Sequence, residues 1–165
     1  MQSFENLDAV KNAQVQIKSF KQAETHRGWS WSFVVYLNGK RLGLVSNDGS
    51  GSMTRVDFKL TQQKQFMLAL KSAGYKLQLT CGDVIFTEPE TVETWLEFAV
   101  GQIGVELDEL KSIRRRAKTQ TFVEKRSEPR FAAFKAEDTP ANRAALQRQL
   151  GSDLVRFMND AIRAY

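Results

Sequence analysis

The chain has few residues that could cross-link it through a disulfide or a metal. Its 165 residues include one cysteine, Cys81, and one histidine, His26. One cysteine excludes an internal disulfide, and this pair cannot supply the ligand cluster of a structural zinc site. We therefore predict no metal and no cofactor. We expect Cys81 to pack as a small core residue and His26 to lie exposed in a turn.

Long apolar runs are also missing. No window approaches the roughly 20 apolar residues that a membrane-spanning helix needs. The first residues, MQSFENLDAVKN, lack the apolar stretch of a signal peptide. The sequence thus predicts a cytoplasmic protein without a membrane partner. Hydrophobic residues nevertheless form 42% of the chain and include 11 phenylalanines, which is enough for a core and argues against intrinsic disorder.

The net charge of +5 is unevenly distributed along the chain. Every charged residue from Asp83 to Leu110 is acidic, whereas the segment from Lys111 to Arg130 is mostly basic. The basic segment either docks on its acidic neighbour or faces a polyanion such as nucleic acid. Its cations are Lys111, Arg114, Arg115, Arg116, Lys118, Lys125, Arg126 and Arg130.

The clearest structural signal is a β-hairpin within residues 29–51. Large apolar residues occupy every second position of its first strand: Trp29, Trp31, Phe33, Val35 and Leu37. This alternation places them on one face, and Asn38-Gly39 is typical of a two-residue type I′ turn. The predicted cross-strand pairs are Leu37 with Lys40, Val35 with Leu42, Phe33 with Leu44 and Trp31 with Ser46.

The two faces of this hairpin predict different roles. We expect Trp29 and Trp31 to pack in the core, because tryptophan buries a large area. Tyr36 and Arg41 lie opposite each other on the other face, where an aromatic ring beside a cation could stack and hold single-stranded nucleic acid. The alternative is a simple cross-strand cation–π contact between these two residues.

Segments on either side extend the hairpin into a sheet. Residues 13–21 and 53–60 alternate as strands do, and residues 22–27 are typical of a turn. A helix capped by Thr61 and ended by Gly74 would cover one face. The predicted fold class is therefore α+β, an antiparallel β-meander centred on the hairpin and covered by helices.

The C-terminal half is predicted to be mostly helical. A helix opened at Thr87 runs toward the arginine triplet, with a kink or break at Gly101 and Gly104, and cations suit its C-terminal end. Short strands at 119–123 and 130–135 follow, then helices at 140–150 and 152–164. We expect one α+β domain over 1–165: a polar, flexible segment at 1–12, mainly sheet with one helix at 13–86, and mainly helix at 87–165.

The loop from Ser46 to Ser52 is the stretch most like a ligand site. Its glycines, Gly49 and Gly51, would let backbone amides form a phosphate-binding nest. Their spacing does not match a P-loop, however, and Asp48 does not match the spacing of an EF-hand. Turn formation alone accounts for this composition.

The segment YLNGKRLGLVSNDGSG, residues 36–51, resembles a group of small uncharacterised proteins encoded by bacteriophages and other mobile elements. In these proteins an NGK or DGK turn precedes a strand and a VSNDGxGG loop. The segment KTQTFV at 118–123 and the helix break at GSDL, 151–154, are similar in placement, while Ser52 stands where the family has a second glycine. The resemblance implies a phage or plasmid origin and a bacterial host cell, with no established activity.

Our leading hypothesis is a non-enzymatic, phage-type protein that binds nucleic acid, mainly single strands, with little sequence preference. The predicted site residues are Tyr36, Lys40, Arg41, Arg114, Arg115, Arg116, Lys118, Lys125 and Arg126. The alternative is an inhibitor or adaptor of a host protein, with the acidic 83–110 surface mimicking a polyanion. A hydrolase would need a metal at those carboxylates or at His26. Homo-oligomers could form through the edge of the hairpin.

Overall fold

The computed structural model describes residues 2–81, 84–128 and 131–164, without the side chains of residues 2–4 and 81. The predicted packing of Cys81 therefore lies outside the described side chains. The helices are α1 Gln2–Asn12, α2 Leu60–Ser72, α3 Val92–Arg116, α4 Pro140–Leu150 and α5 Asn159–Ala164. The strands are β1 Val15–Thr25, β2 Gly28–Leu37, β3 Lys40–Asn47, β4 Arg55–Val56, β5 Thr80–Cys81, β6 Val84–Ile85, β7 Thr121–Lys125, β8 Ala132–Phe134 and β9 Leu154–Phe157.

The fold is α+β, as predicted, and the chain divides into two compact units. The N-terminal unit comprises residues 2–106 and the C-terminal unit residues 107–164. The N-terminal unit holds a four-stranded sheet with strand order β1-β2-β3-β4. The C-terminal unit holds a three-stranded sheet with order β8-β7-β9. Within the described residues, no helix combines the length and the apolar character needed to cross a membrane.

The antiparallel meander centred on the hairpin is confirmed. Asn38 and Gly39 both have positive φ, 50° and 75°, as a type I′ turn requires. The turn predicted at 22–27 is shorter than expected, because β1 continues to Thr25, which pairs with Gly28. The ten residues of β2 supply partners along that whole length.

The predicted pairing of β2 with β3 is correct at Leu37 and Lys40 but wrong beyond a bulge. The remaining pairs are displaced by one residue: Val35 with Gly43, Phe33 with Val45 and Trp31 with Asn47. The inward position is therefore taken by Val45, which is fully buried, while Leu44 is 39% exposed on the other face. A one-residue shift exchanges the faces of a strand.

Gly43 explains why the bulge falls at this point. A Cβ atom on Gly43 would lie 1.8 Å from the carbonyl oxygen of Asp57, where the chain after β4 crosses β3. The Asp57 amide also donates a hydrogen bond to the Leu44 carbonyl at 2.9 Å. Since only glycine permits this approach, the register brings Gly43 to the inner face.

Helices cover the inner face of the sheet, as predicted. Fully buried core residues come from β2 and β3, from α2 and from α3: Phe33, Val35, Val45, Phe66, Leu70, Trp95, Leu96 and Ile103. Helix α3 lies close to β2, because a Cβ atom on Gly104 would sit 3.6 Å from the rings of Trp31 and Phe33. Gly101 and Gly104 do not split α3, which is continuous over 25 residues.

Helix boundaries differ from the predictions at several ends. Residues 2–12 form helix α1, in which Leu7 and Val10 are buried, where a flexible segment was expected. Helix α2 begins after Lys59, whose amide bonds to the Gln62 side chain, so Thr61 is not its cap. Its end is as predicted: Gly74 follows with φ of 87°. Helix α3 starts at Val92 rather than Thr87.

In the C-terminal unit, the two predicted strands correspond to β7 and β8, although residues 129 and 130 between them lie outside the described part. Helix α4 covers 140–150 as predicted, and Thr139 caps it, with its hydroxyl accepting a hydrogen bond from the Asn142 amide at 3.2 Å. The helix predicted at 152–164 is wrong. Residues 154–157 form β9, antiparallel to β7, so the span holds only the end of a 3-10 helix, Gly151–Asp153, and the short helix α5.

We expect Gly43→Ala to lower the free energy of unfolding by about 1–3 kcal/mol, because its methyl group has no room beside Asp57. The matched control is Gly101→Ala, since a Cβ atom there meets nothing nearer than the Thr54 hydroxyl at 3.9 Å. Replacing this helical glycine should stabilise the protein by about 0.5–1 kcal/mol. Urea unfolding measures both, and equal effects would contradict the close approach at Gly43.

Candidate nucleic-acid interface

The face of the N-terminal sheet opposite the core is open and carries most of the sheet's charge. Residues 33, 35 and 37 of β2 point into the core, so residues 32, 34 and 36 point outward together with their cross-strand partners. We call this surface the outer sheet face. It comprises Lys18, Lys21, Ser32, Val34, Tyr36, Arg41, Leu44, Ser46 and Arg55.

The outer sheet face is positively charged. Lys18, Lys21, Arg41 and Arg55 are all exposed. Among the residues of β1–β4, the one carboxylate belongs to Glu24, whose partner Trp29 lies on the opposite face. The exposed Asp57, just beyond β4, borders the surface at one edge. The strands thus present cations without an acid among them, which concentrates polyanions.

Tyr36 is the aromatic residue of this face. It lies opposite Arg41, as predicted, and is half-buried. The cation nearest its ring is Lys18, whose Nζ is 4.6 Å from the ring centroid. An exposed cation–π contact is worth only about 0.5–1 kcal/mol. A nucleic-acid base could therefore displace the ammonium group from the ring and leave it available to a phosphate.

Of the other predicted residues on the hairpin, Lys40 is exposed but lies off the outer sheet face, because its partner is the inward-facing Leu37. The predicted burial of Trp29 is wrong, since this side chain is 56% exposed at the end of β2 far from the Asn38-Gly39 turn. Trp31 is half-buried and stacks on Phe33, with ring centroids 5.4 Å apart.

The loop from Ser46 to Ser52 uses its polar groups internally. The Asp48 carboxylate accepts hydrogen bonds from the Ser50 amide at 2.9 Å and from the hydroxyls of Ser50 and Ser52 at 2.7 Å. The Gly49 amide donates to the Asn47 side chain at 2.8 Å. A carboxylate thus stands where a phosphate would have to bind, so this loop is better explained as a braced turn than as a nest.

The basic segment is separated into two clusters within the C-terminal unit. At the end of α3, four exposed cations follow the helical spacing i, i+3, i+4, i+7, and we call them the helix-end stripe: Lys111, Arg114, Arg115 and Lys118. Arg116 is engaged differently. Its Nε donates to the Gln120 side chain at 3.1 Å, and its guanidinium lies 5.3 Å from the centroid of the Phe122 ring.

Lys125 and Arg126 lie at the other end of β7, about 13 Å of strand away from Thr121. Lys125 is paired with Glu128 and lies 3.7 Å from Asp153. Its side chain is only 15% exposed, so its charge is neutralised within the chain. Arg126 is exposed, and its amide donates to the Asp153 carbonyl at 2.9 Å.

The acidic segment does not present a continuous anionic surface, because several of its described carboxylates, Glu88, Glu97 and Glu106 among them, have partners inside the chain. Glu88 pairs with Lys71 at 2.6 Å, and Glu97 accepts the Thr54 amide at 2.9 Å. Glu106, which falls within the predicted acidic surface at 83–110, is only 5% exposed. Its carboxylate accepts hydrogen bonds from Asn6 at 2.7 Å, Gln102 at 2.8 Å and Tyr75 at 3.1 Å.

The hydroxyl of Tyr75 lies beside the buried Glu106 carboxylate. Burial and the neighbouring Glu106 carboxylate raise the pKa of the Tyr75 hydroxyl, so it acts as a hydrogen-bond donor. His26 is exposed in the β1–β2 turn, as predicted. In the described part of the chain, no three His, Cys, Asp or Glu side chains are grouped to hold a metal ion.

The sequence predictions missed Lys18, Lys21 and Arg55, which complete the outer sheet face. The sequence does contain a signal for Lys18 and Arg55. Lys18 alternates with the apolar Val15 and Ile17 of β1, and Arg55 precedes Val56 in β4. Combined with the predicted meander, that alternation would have placed both cations on the face of Tyr36.

We expect the Asp48 carboxyl to titrate near pH 2. Hydrogen bonds from Ser50 and Ser52 lower its pKa from 3.8 to about 2. Because the folded-state pKa is the lower one, the stability that Asp48 contributes is present above pH 4 and is lost as the pH falls toward 2. Carbon-detected NMR should show the midpoint rising in Ser50→Ala/Ser52→Ala. Ser30→Ala removes a hydroxyl that donates to the Ala23 carbonyl rather than to Asp48, and should leave the midpoint in place. A midpoint near 3.8 in the unsubstituted protein would contradict the braced loop.

Comparison of the chain with models of protein families, with curated proteins and with solved structures finds no match. The candidate interface consequently stands on the geometry of the outer sheet face and the helix-end stripe.

Proposed function

We propose that this protein binds single-stranded nucleic acid on its outer sheet face, with little sequence preference and without catalysing a reaction. One observation supports this proposal above the others. Lys18 and Arg41 flank the ring of Tyr36, and Lys21 and Arg55 lie farther along the same open face at the level of Ser32, while none of the four strands carries an outward carboxylate. Cations beside a stacking ring are the usual elements of a non-specific single-strand site.

In the proposed complex the cations contact phosphates and one base stacks on Tyr36. Neighbouring strands lie about 4.8 Å apart, so β1 to β4 span about 14 Å, the width of a short run of nucleotides. The hydroxyls of Ser32 and Ser46, paired across β2 and β3, provide additional hydrogen-bonding groups. A base in a duplex is already stacked, so Tyr36 favours single strands.

The biological setting that we propose is a bacterial cell carrying a phage or plasmid. It rests on the resemblance of residues 36–51 to proteins of mobile elements. The hairpin with this segment includes Tyr36, Arg41, Leu44 and Ser46, all on the outer sheet face.

A host protein is the second candidate partner, and exposed apolar side chains favour it. Val84, Ile85 and Phe86 are 55%, 80% and 45% exposed, and clustered apolar surface often marks a protein contact. Acidic mimicry is the weaker route, because Glu88, Glu97 and Glu106 are engaged within the chain. A partner that co-purifies after nuclease treatment, and is lost in Ile85→Asp, would support this alternative.

We expect Lys18→Gln/Lys21→Gln/Arg55→Gln to weaken binding to labelled oligo(dT), because three phosphate contacts are lost. The slope of log affinity against log salt should fall by about 2, at roughly 0.7 per contact. The matched control, Lys59→Gln/Lys64→Gln/Lys76→Gln, removes three exposed charges of the same unit that lie outside this face. Fluorescence anisotropy at several salt concentrations measures both. Identical curves for the two variants would overturn the proposed site.

Replacing Tyr36 tests stacking separately from charge. Tyr36→Ala should reduce affinity for oligo(dT) by roughly 5- to 150-fold, which corresponds to about 1–3 kcal/mol per stacked base. Tyr36→Phe retains the ring and should bind nearly as tightly as the unsubstituted protein. Circular dichroism of both variants checks that the sheet is intact. If the alanine and phenylalanine variants bind equally well, the ring does not stack on a base.

A further inference from the structure

Several cations of the C-terminal unit form ion pairs with carboxylates of the same unit. Lys125 pairs with Glu128, and Arg156 pairs with Glu124 at 2.6 Å. Two further arginines are bound by the same two carboxylates, in a network of Arg143, Arg163, Asp138 and Asp160. Its closest contact joins Arg143 to Asp138 at 2.6 Å.

The helix-end stripe differs from these paired cations. In the described part of the chain, no ion pair is formed by Lys111, Arg114, Arg115 or Lys118, and all four side chains are exposed. The half-buried Asp108 lies at one border of the stripe. Four like charges on one side of a helix repel one another, and a counter-charge from outside the chain would relieve this repulsion.

Buried residues on another side of α3 determine the direction in which the helix-end stripe points. Leu110 and Ala117 are 8% and 6% exposed, and with the half-buried Ile113 they follow the spacing i, i+3, i+7 on a different side of α3. The stripe therefore faces solvent along about 6 Å of helix, from residue 111 to residue 115, and Lys118 continues it in the turn that follows α3. The partial negative charge at the C-terminal end of α3 holds the cations in place but neutralises only part of their charge.

We infer that the helix-end stripe is a second, independent site for the phosphate backbone of nucleic acid. Together with the proposed outer sheet face, on which this inference depends, it would let one chain hold two nucleic-acid segments at once. The stripe contains no aromatic residue, so it contacts phosphates alone and accepts duplexes as well as single strands. The outer sheet face selects single strands through Tyr36. The two sites therefore differ in the nucleic acid that they accept.

A capture assay tests this division. Biotinylated oligo(dT) on a surface binds the protein, unbound protein is washed away, and a fluorescent 20-base-pair duplex is then added. The unsubstituted protein should retain the duplex. Arg114→Gln/Arg115→Gln/Lys118→Gln should retain at least tenfold less duplex. Its affinity for oligo(dT) should change less than twofold, because stacking on Tyr36 makes the outer sheet face the tighter site for single strands. The control Lys135→Gln/Arg148→Gln/Arg156→Gln removes the same charge from the same unit and should capture the duplex normally.

A direct titration separates failure of the second site from failure of the first. The outer-face variant Lys18→Gln/Lys21→Gln/Arg55→Gln should still bind the duplex in solution, and adding the three stripe substitutions should abolish that binding. If the outer-face variant does not bind duplex, the second site is overturned whatever oligo(dT) shows. If the stripe variant still captures duplex, the bridging comes from another surface or from a dimer, and the inference is equally overturned. Sedimentation of the unsubstituted complex should give one chain for each oligo(dT) and duplex.

Discussion

The close approach of the Asp57 backbone to Gly43 determines which side chains β3 presents to each face of the N-terminal sheet. A side chain at residue 43 would overlap the Asp57 carbonyl, so glycine must stand where the chain crosses β3, and a bulge brings it there. The bulge places Val45 in the core and Leu44 on the outer sheet face. Without it, the two residues would exchange faces, so that Leu44 would point into the core and Val45 would lie on the outer sheet face.

Strand pairing also places the charged residues of the candidate interface. Tyr36 faces Arg41 next to the turn, and Arg55 joins the outer sheet face through its pairing with Ser46. Lys18 and Lys21 flank a second irregularity in β1, where Ser19 has a φ of 57°. Bulges and lysines on an edge strand discourage pairing with another chain. Lys18 and Lys21 also supply half of the positive charge of the outer sheet face. The same two lysines therefore protect the edge of the sheet and charge its outer face.

Short sequence patterns correctly predicted those elements whose formation depends on residues close together in the sequence. Alternation and Asn38-Gly39 were sufficient for the hairpin, and Thr139 for the start of α4. The bulge could not be predicted from β3, because it depends on Asp57, which is distant in sequence. Residues 154–157 were assigned to a helix since Leu154, Val155, Met158 and Ile162 also fit helical spacing, but pairing with β7 prevailed. The charge of Lys125 was likewise misjudged, because Glu128 and Asp153 come to it only in the folded unit.

The distribution of ion pairs distinguishes structural charge from charge available to a partner. Folding gains little from an exposed cation without a partner and loses stability when several lie side by side. In the C-terminal unit, carboxylates offset the charges of Arg143, Arg156 and Arg163. Among the described residues, no carboxylate forms an ion pair with the helix-end stripe. The outer sheet face shows the same contrast, since Glu24 points away from it. Neither surface is explained by what holds the fold together, and our proposal of a polyanionic partner depends on this contrast.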